Sequence, residues 1–343
     1  MRPPDGRIQM GHGGGGRLMR ELITELVVPK LGHQKNVLHD AALLYTPGPQ
    51  LAFSTDSYVV RPLFFPGGDI GRLAVYGSVN DLAMAGARPL ALSLSLIIEE
   101  GLEIDCLARV IDSVGEACQG IGVGVITGDT KVVERGKGDG LFINSTAIGV
   151  VEHPLNISPS AIRPGDAVIV SGDLGRHGLA VLSARAELGL RSPIESDLAC
   201  LLEPVMELLA AGVELHCLRD LTRGGLASAC DEIARSGQCT LQLEQQRIPV
   251  HPSVNAACDV LGLDPVAMAN EGRMLVICPA EQEELALKVL QRYQPEAARV
   301  GEVGERWADG SSLDARYPVS LISELGVNCP MVLAEGEQIP RIC

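Results

Sequence analysis

The stretch DIGRLAVYGSVNDLAMAG, residues 69–86, hands over to LALSLSLII, residues 90–98. In the first, Ile70, Leu73, Ala74, Val79, Leu82 and Ala83 recur at helical spacing. The second is an unbroken apolar run with the length of a buried strand. The same switch of period repeats on both sides. Residues 51–60 read as a strand ending in polar residues. Residues 104–120 read as a helix with Leu107, Val110, Ile111, Val114 and Cys118 on one stripe, and 124–133 and 141–151 as two more strands. The region 152–166 holds Pro154, Pro159, Pro164 and Gly165 and marks a domain boundary.

Beyond it the pattern resumes. Strands are predicted at 167–170, 240–244, 273–278 and 299–303, and helices at 177–188, 198–211, 226–236 and 281–293. The fold class is therefore α/β (α+β), with an N-terminal domain over 1–155 and a C-terminal α/β domain over 156–330. Residues 331–343 are expected to form a mobile tail, because the last ten hold Gly336, Pro340 and few apolar residues.

Composition narrows the function classes. A chain of 343 residues suits about two domains. Its 46% apolar and 21% charged residues exclude disorder. Lys plus Arg number 28 and Asp plus Glu 43, a net charge of −15, which repels a phosphate backbone and argues against nucleic acid. No run reaches the eighteen or so apolar residues of a membrane span, and residues 1–16 are polar, so neither membrane nor signal peptide is expected. Ten Cys without a C-x-x-C pair read as reduced thiols in a cytoplasmic protein. The seven His show no zinc-site spacing, and no Gly-x-Ser-x-Gly supports a serine hydrolase.

Several residues carry chemical potential. Gly13, Gly14, Gly15 and Gly16 precede an amphipathic helix over 17–28 and read equally as a linker or as backbone cover for phosphates. Asp56 and Asp129 each follow a strand, and Asp81, after Asn80, sits in an otherwise apolar helix, where a carboxylate is costly unless paired. Each alone is a turn former or cap; together with the glycine loop they suit Mg2+ bridged to nucleotide phosphates. Lys131, after Thr130 and before Val132-Val133, would balance a phosphate or move a proton. Glu271 lies between Ala269-Asn270 and a buried strand, a place that raises a carboxyl's pKa. The run 219–225, RDLTRGG, reads as a second anion seat or as a helix start with an ordinary ion pair. The ending Pro340-Arg341-Ile342-Cys343 is an incidental tail or a swinging arm bearing a thiolate.

The stretches GHGGGGRLM, FSTDSYVV, VNDLAMAGARP, TGDTKVVERG, LFINSTAIG, VSGDLGRHG, RDLTRGGL, ANEG and the terminal PRIC follow one another from Gly11 to Cys343. In this the chain resembles the HypE family of carbamoyl dehydratases, hydrogenase maturation proteins of the aminoimidazole-ribonucleotide synthetase-like superfamily. The resemblance implies a two-domain fold whose N-terminal domains pair through their sheets in a homodimer, with ATP near the pairing interface. It implies that Cys343 receives a carbamoyl group from the carbamoyltransferase HypF. ATP-dependent dehydration then leaves a thiocyanate, and the cyano group passes to iron on the HypC–HypD complex. Lys131 and Glu271 would handle the protons. Asp56, Asp81 and Asp129 would hold Mg2+, and the four glycines, Asn80 and Thr130 would enclose the nucleotide. The alternative is another ATP-dependent member of the superfamily, a small-molecule kinase or a selenophosphate synthetase. No Cys precedes Cys106, where a selenophosphate synthetase would need one near the glycine loop.

Overall fold

The computed structural model describes residues 17–22, 24, 41–44, 48–185, 193–307, 313–333 and 339–343. Gly13 to Gly16, and residues 23 and 25–28 of the helix predicted over 17–28, lie outside these; α1 covers Arg17–Leu22.

The first sheet holds β1 (Ala42–Leu44), β2 (Leu51–Tyr58), β5 (Ala87–Glu99), β6 (Val125–Val133) and β7 (Leu141–Val151), in the order β1-β2-β7-β5-β6. A small hairpin, β3 (Phe64–Phe65) with β4 (Gly68–Asp69), precedes the helix α2 (Ile70–Met84). Asp69 caps α2 by accepting from the Gly71 and Arg72 amides at 2.8 and 3.1 Å. Thirteen of its fifteen residues are buried, because the first sheet, α3 (Ile104–Ile121) and the second half of the chain enclose it. A helix apolar on all sides must be covered on all sides. Gly77 is needed there: a Cβ would run into the Tyr58 hydroxyl.

Strand β7 alternates buried and half-buried positions, as a strand with one covered face does. The connection β5–α3–β6 returns parallel, which leaves β6 at the sheet edge with eight of its nine residues exposed. Exposed apolar side chains gather on this edge and the open face: Ile126, Val132, Leu90 and Phe53.

The second sheet has the order β14-β13-β10-β12-β8-β11-β9, built from β8 (Ala167–Val170), β9 (Cys217–Asp220), β10 (Cys239–Glu244), β11 (Met274–Cys278), β12 (Ala298–Arg306), β13 (Val319–Ile322) and β14 (Asn328–Pro330). Around it pack α4 (Arg176–Ser183), α5 (Leu202–Ala210), α6 (Gly225–Gly237), α7 (Pro252–Leu261) and α8 (Glu283–Leu290). Strands β8 and β11 are buried along their whole length, which explains their continuous apolar runs. The predicted strands are all present, while β9, β13 and β14 were not foreseen. The helix predicted over 198–211 begins only at Leu202, because residues 193–201 form an extended strap between the two halves.

The chain's end, expected to be a mobile tail, has a resting place here. Residues 339–343 are seated against the body, with Ile339 and Ile342 buried. Their apolar side chains join a core cluster with Leu179, Leu182 and Met268, which is why so short a segment holds to the surface. No helix among the described residues is long and apolar enough to cross a membrane. None of the ten cysteines is in a disulfide, and six of them are buried.

Candidate active site

Strand β2 and helix α2 bring Asp56 and Asp81 together, as the sequence predicts. Ser54 donates to Asp81 across the β2–α2 seam, and the Tyr58 hydroxyl donates to Asp56 at 3.2 Å. A third carboxylate joins them: Asp220, at the end of β9, is hydrogen-bonded to Asp81. Burial pushes the Asp220 carboxyl up to about 6, and the nearby charge of Asp56 pushes the same way. Burial raises Tyr58 well above the phenol range, with Asp56 and Asp81 adding to it. The sequence reading passed over Asp220; its signal was the quoted RDLTRGGL, where attention went to the arginines. Arg219 in fact pairs with Glu232 of α6, which is the ordinary ion-pair reading of that stretch.

Glu271 lies against the strap, within electrostatic reach of Asp220 and Asp56. It is buried, and its Oε1 has no hydrogen-bond partner. Burial drives its carboxyl well above the usual range, and Asp220 and Asp197 drive it further. The one opposing contact among the larger influences is a side-chain hydrogen bond with Cys343. The last residue of the chain and the buried glutamate, 72 positions earlier, thus meet. Asp197 fixes the backbone there: its Oδ1 accepts from the Glu271 amide at 2.8 Å, while its Oδ2 is buried and unpartnered.

Asn80 does not face the carboxylates through hydrogen bonds of its own. Its amide donates to the Ala199 carbonyl at 3.0 Å and its oxygen accepts from the Leu201 amide at 2.7 Å, so it fastens the strap to α2. Asn270 is likewise a fastener, bonded to Gly175, Leu221 and Met268.

Asp129, Thr130 and Lys131 are not brought to this group within one chain. The register runs Ser57–Asn144–Ser95–Asp129 across β2, β7, β5 and β6. Three strand spacings separate the ends of that row, on the order of 14 Å. All three residues are exposed on the edge strand, so Lys131 is solvated within one chain. Among the described residues no three His, Cys, Asp or Glu side chains converge as a metal site.

The tail reaches Glu271 through a series of backbone contacts. The Val59 amide donates to the Cys343 carbonyl at 3.1 Å and the Arg61 amide to the Arg341 carbonyl at 3.3 Å. Arg185 donates to the Pro340 and Arg341 carbonyls, Arg341 pairs with Asp139 at 2.9 Å, and His177 bonds the Ile342 carbonyl at 2.7 Å. Burial holds the His177 imidazole down at about 4, with the bond to Ile342 pulling the other way. Unfolded histidine titrates near about 6.5. Between pH 6.5 and 4 the unfolded chain therefore takes a proton that the folded one refuses, and the stability due to His177 falls as the pH falls. We expect melts of His177→Gln to lie furthest below wild type above pH 7, with the gap closing towards pH 4.

Residues 38–151 match the family model "AIR synthase related protein, N-terminal domain", and 163–314 the corresponding C-terminal domain. Carbamoyl dehydratase HypE of Azotobacter vinelandii is 45% identical over 99% of this chain and 98% of its own. The chain belongs to the HypE family of carbamoyl dehydratases. A crystal structure of hydrogenase maturation protein HypE in complex with ATP is 43% identical, with a TM-score of 0.80 over 98% of this chain and 100% of that one. A HypE–HypF complex structure is similar at 38% identity and a TM-score of 0.83, covering 91% of this chain and 99% of that chain.

Proposed function

We propose that this chain carries a carbamoyl group on the Cys343 thiol and dehydrates it, with ATP, to a thiocyanate that supplies cyanide to iron in nickel–iron hydrogenase maturation. The observation that carries the reading is the hydrogen bond between Cys343 and the buried Glu271. The reaction has to remove two protons from nitrogen. The carbamoyl oxygen attacks the terminal phosphate of ATP as the first N–H proton leaves. The second leaves as phosphate departs, and the carbon–nitrogen bond becomes triple. A carboxyl of raised pKa beside the sulfur is a suitable acceptor for either proton. Family matches at 38–45% identity over nearly the whole chain favour this over the kinase and selenophosphate-synthetase alternatives.

Asp56, Asp81 and Asp220 do not converge as a complete site by themselves, and one or two of them would hold Mg2+ beside the phosphates of ATP. Burial raises Asp220 and the charge of Asp56 adds to it, and a cation there would offset both. Mg2+ is commonly held by one or two carboxylates, with phosphates and water completing its shell. When bound it would neutralise phosphate charge. We expect Asp81→Asn to weaken Mg-ATP binding by roughly tenfold or more, because a charge-assisted contact is lost. Its melting temperature without nucleotide should stay within a few degrees, because Asn still accepts from Ser54. Calorimetric titration beside thermal melts checks both, and unchanged affinity would make Asp81 merely structural.

Homodimerisation explains the distant residues. A second copy over the exposed Ile126, Val132 and Phe53 would cover an apolar face and bring its own Asp129, Thr130 and Lys131 towards this copy's Asp56 and Asp81. Lys131 then shares the proton and phosphate work with Glu271. The tail leaves its seat to be loaded by HypF and to deliver cyanide to the HypC–HypD complex. The reduced cysteines suit a cytoplasmic setting. The direct test is intact mass after incubation with HypF, carbamoyl phosphate and Mg-ATP. Gain of one carbamoyl group on Cys343, followed by loss of water, is the expected result. No adduct on Cys343 would overturn the assignment.

A further inference from the structure

His177 occupies a place the chemistry above does not use. It is the second residue of α4 and has no exposed surface. Its Nε2 lies 2.7 Å from the Ile342 carbonyl, which can only accept, so this nitrogen carries the proton. Its Nδ1 then accepts from the Ser196 hydroxyl at 2.8 Å. Ser196 Oγ in turn accepts from the Leu198 amide at 3.1 Å, and the Ser196 amide donates to Pro66 in the N-terminal half at 2.9 Å. The Phe65 ring meets the imidazole edge to face, with centroids 5.3 Å apart. One tautomer and one ring orientation are thereby fixed.

The geometry has a direction. Ser196 holds the histidine that holds the tail, and the next residue, Asp197, holds the Glu271 amide at 2.8 Å. The Ala199 amide donates to the Glu271 carbonyl at 3.3 Å, and Ala199 is itself tied to Asn80. One strap therefore sets both the buried carboxyl and the chain segment carrying the thiol. The other tail contacts lie at exposed or half-buried positions: the Val59 and Arg61 amides and the Arg185 side chain bond tail carbonyls, and the tail's own Arg341 reaches Asp139. The His177 bond is sealed, and breaking it leaves a buried N–H without a partner.

We propose that His177, held by Ser196, is a positioning residue for dehydration: it grips the Ile342 carbonyl and so places Cys343 at Glu271. The proposal rests on Cys343 being the carbamoyl carrier. The grip has no part in loading, which happens with the tail away from its seat. Weakening it therefore slows one half of the reaction and spares the other. A histidine that only filled the core would affect loading, ATP binding and dehydration together.

The test uses the full chain with HypF, carbamoyl phosphate and Mg-ATP, following carbamoyl gain and water loss separately by intact mass. In His177→Phe, which keeps a ring and loses the donor, loading should match or exceed wild type. Dehydration of the loaded tail should slow roughly tenfold to a hundredfold, the equilibrium cost of leaving the buried Ile342 carbonyl without its donor. His177→Gln, which still donates, should recover part of that loss. Wild-type dehydration in a loaded His177→Phe protein would overturn the proposal, as would equal slowing of both halves. If His177→Phe does not fold, Ser196→Ala decides: slowed dehydration with normal loading supports the grip, and a wild-type rate overturns it. Wild-type protein that gains no carbamoyl mass on Cys343 would instead sink the carrier assignment beneath it.

Discussion

Cys343→Ala will take up no carbamoyl group and form no thiocyanate, while folding and binding ATP as wild type does. The loss should be complete rather than graded, because no other thiol stands at Glu271. The remaining nine cysteines are mostly buried, and burial pushes Cys230 far up and Cys278 up to about 12, where they stay protonated and inert. The substitution removes one half-buried sulfur at a chain end. The backbone bond from Val59 to residue 343 and the buried Ile342 remain. Melting temperature should therefore shift by no more than a few degrees. Intact mass and a nucleotide-binding titration on the same sample check both halves. A carbamoyl adduct on the variant would place the acceptor elsewhere.

Glu271→Gln should load normally and then stall as the carbamoylated protein. Gln keeps the shape and cannot take a proton, and removing a general base costs roughly a hundredfold to ten-thousandfold. Stability should move the other way. A carboxyl raised above its unfolded value binds its proton more tightly in the folded state, so it detracts from stability as the pH rises above the unfolded value. Against wild type, Glu271→Gln should gain in melting temperature as the pH is raised from 4 to 8 without nucleotide. A mass time course and melts at several pH values separate the two effects. Dehydration at the wild-type rate would leave Lys131, or a water, as the base.

Much of this was legible along the chain. The helix Ile70–Met84 and the strands Leu141–Val151 and Ala167–Val170 follow from local period, since each buries a face or a whole length that its own pattern spells out. Asp81 stood out because a carboxylate in a buried helix demands a reason. Glu271 and Cys343 stood out by position, and the order of short motifs pointed to the family.

What no local pattern carries is the strap over 193–201, which has no period and draws its order from bonds to Pro66, Asn80 and Glu271 far away in sequence. Only the fold makes Asp220 the third carboxylate, by ending β9 against α2. Only strand order separates Asp129 and Lys131 from Asp56, because a parallel return puts β6 at the sheet edge. The seating of the tail is likewise tertiary. Its last residues are too few and too polar to order themselves, and they are held by Val59, Arg61, His177 and Arg185, groups between 155 and 284 positions away. Sequence marked most of the residues proposed to carry the chemistry; long-range hydrogen bonding and burial decided which of them meet.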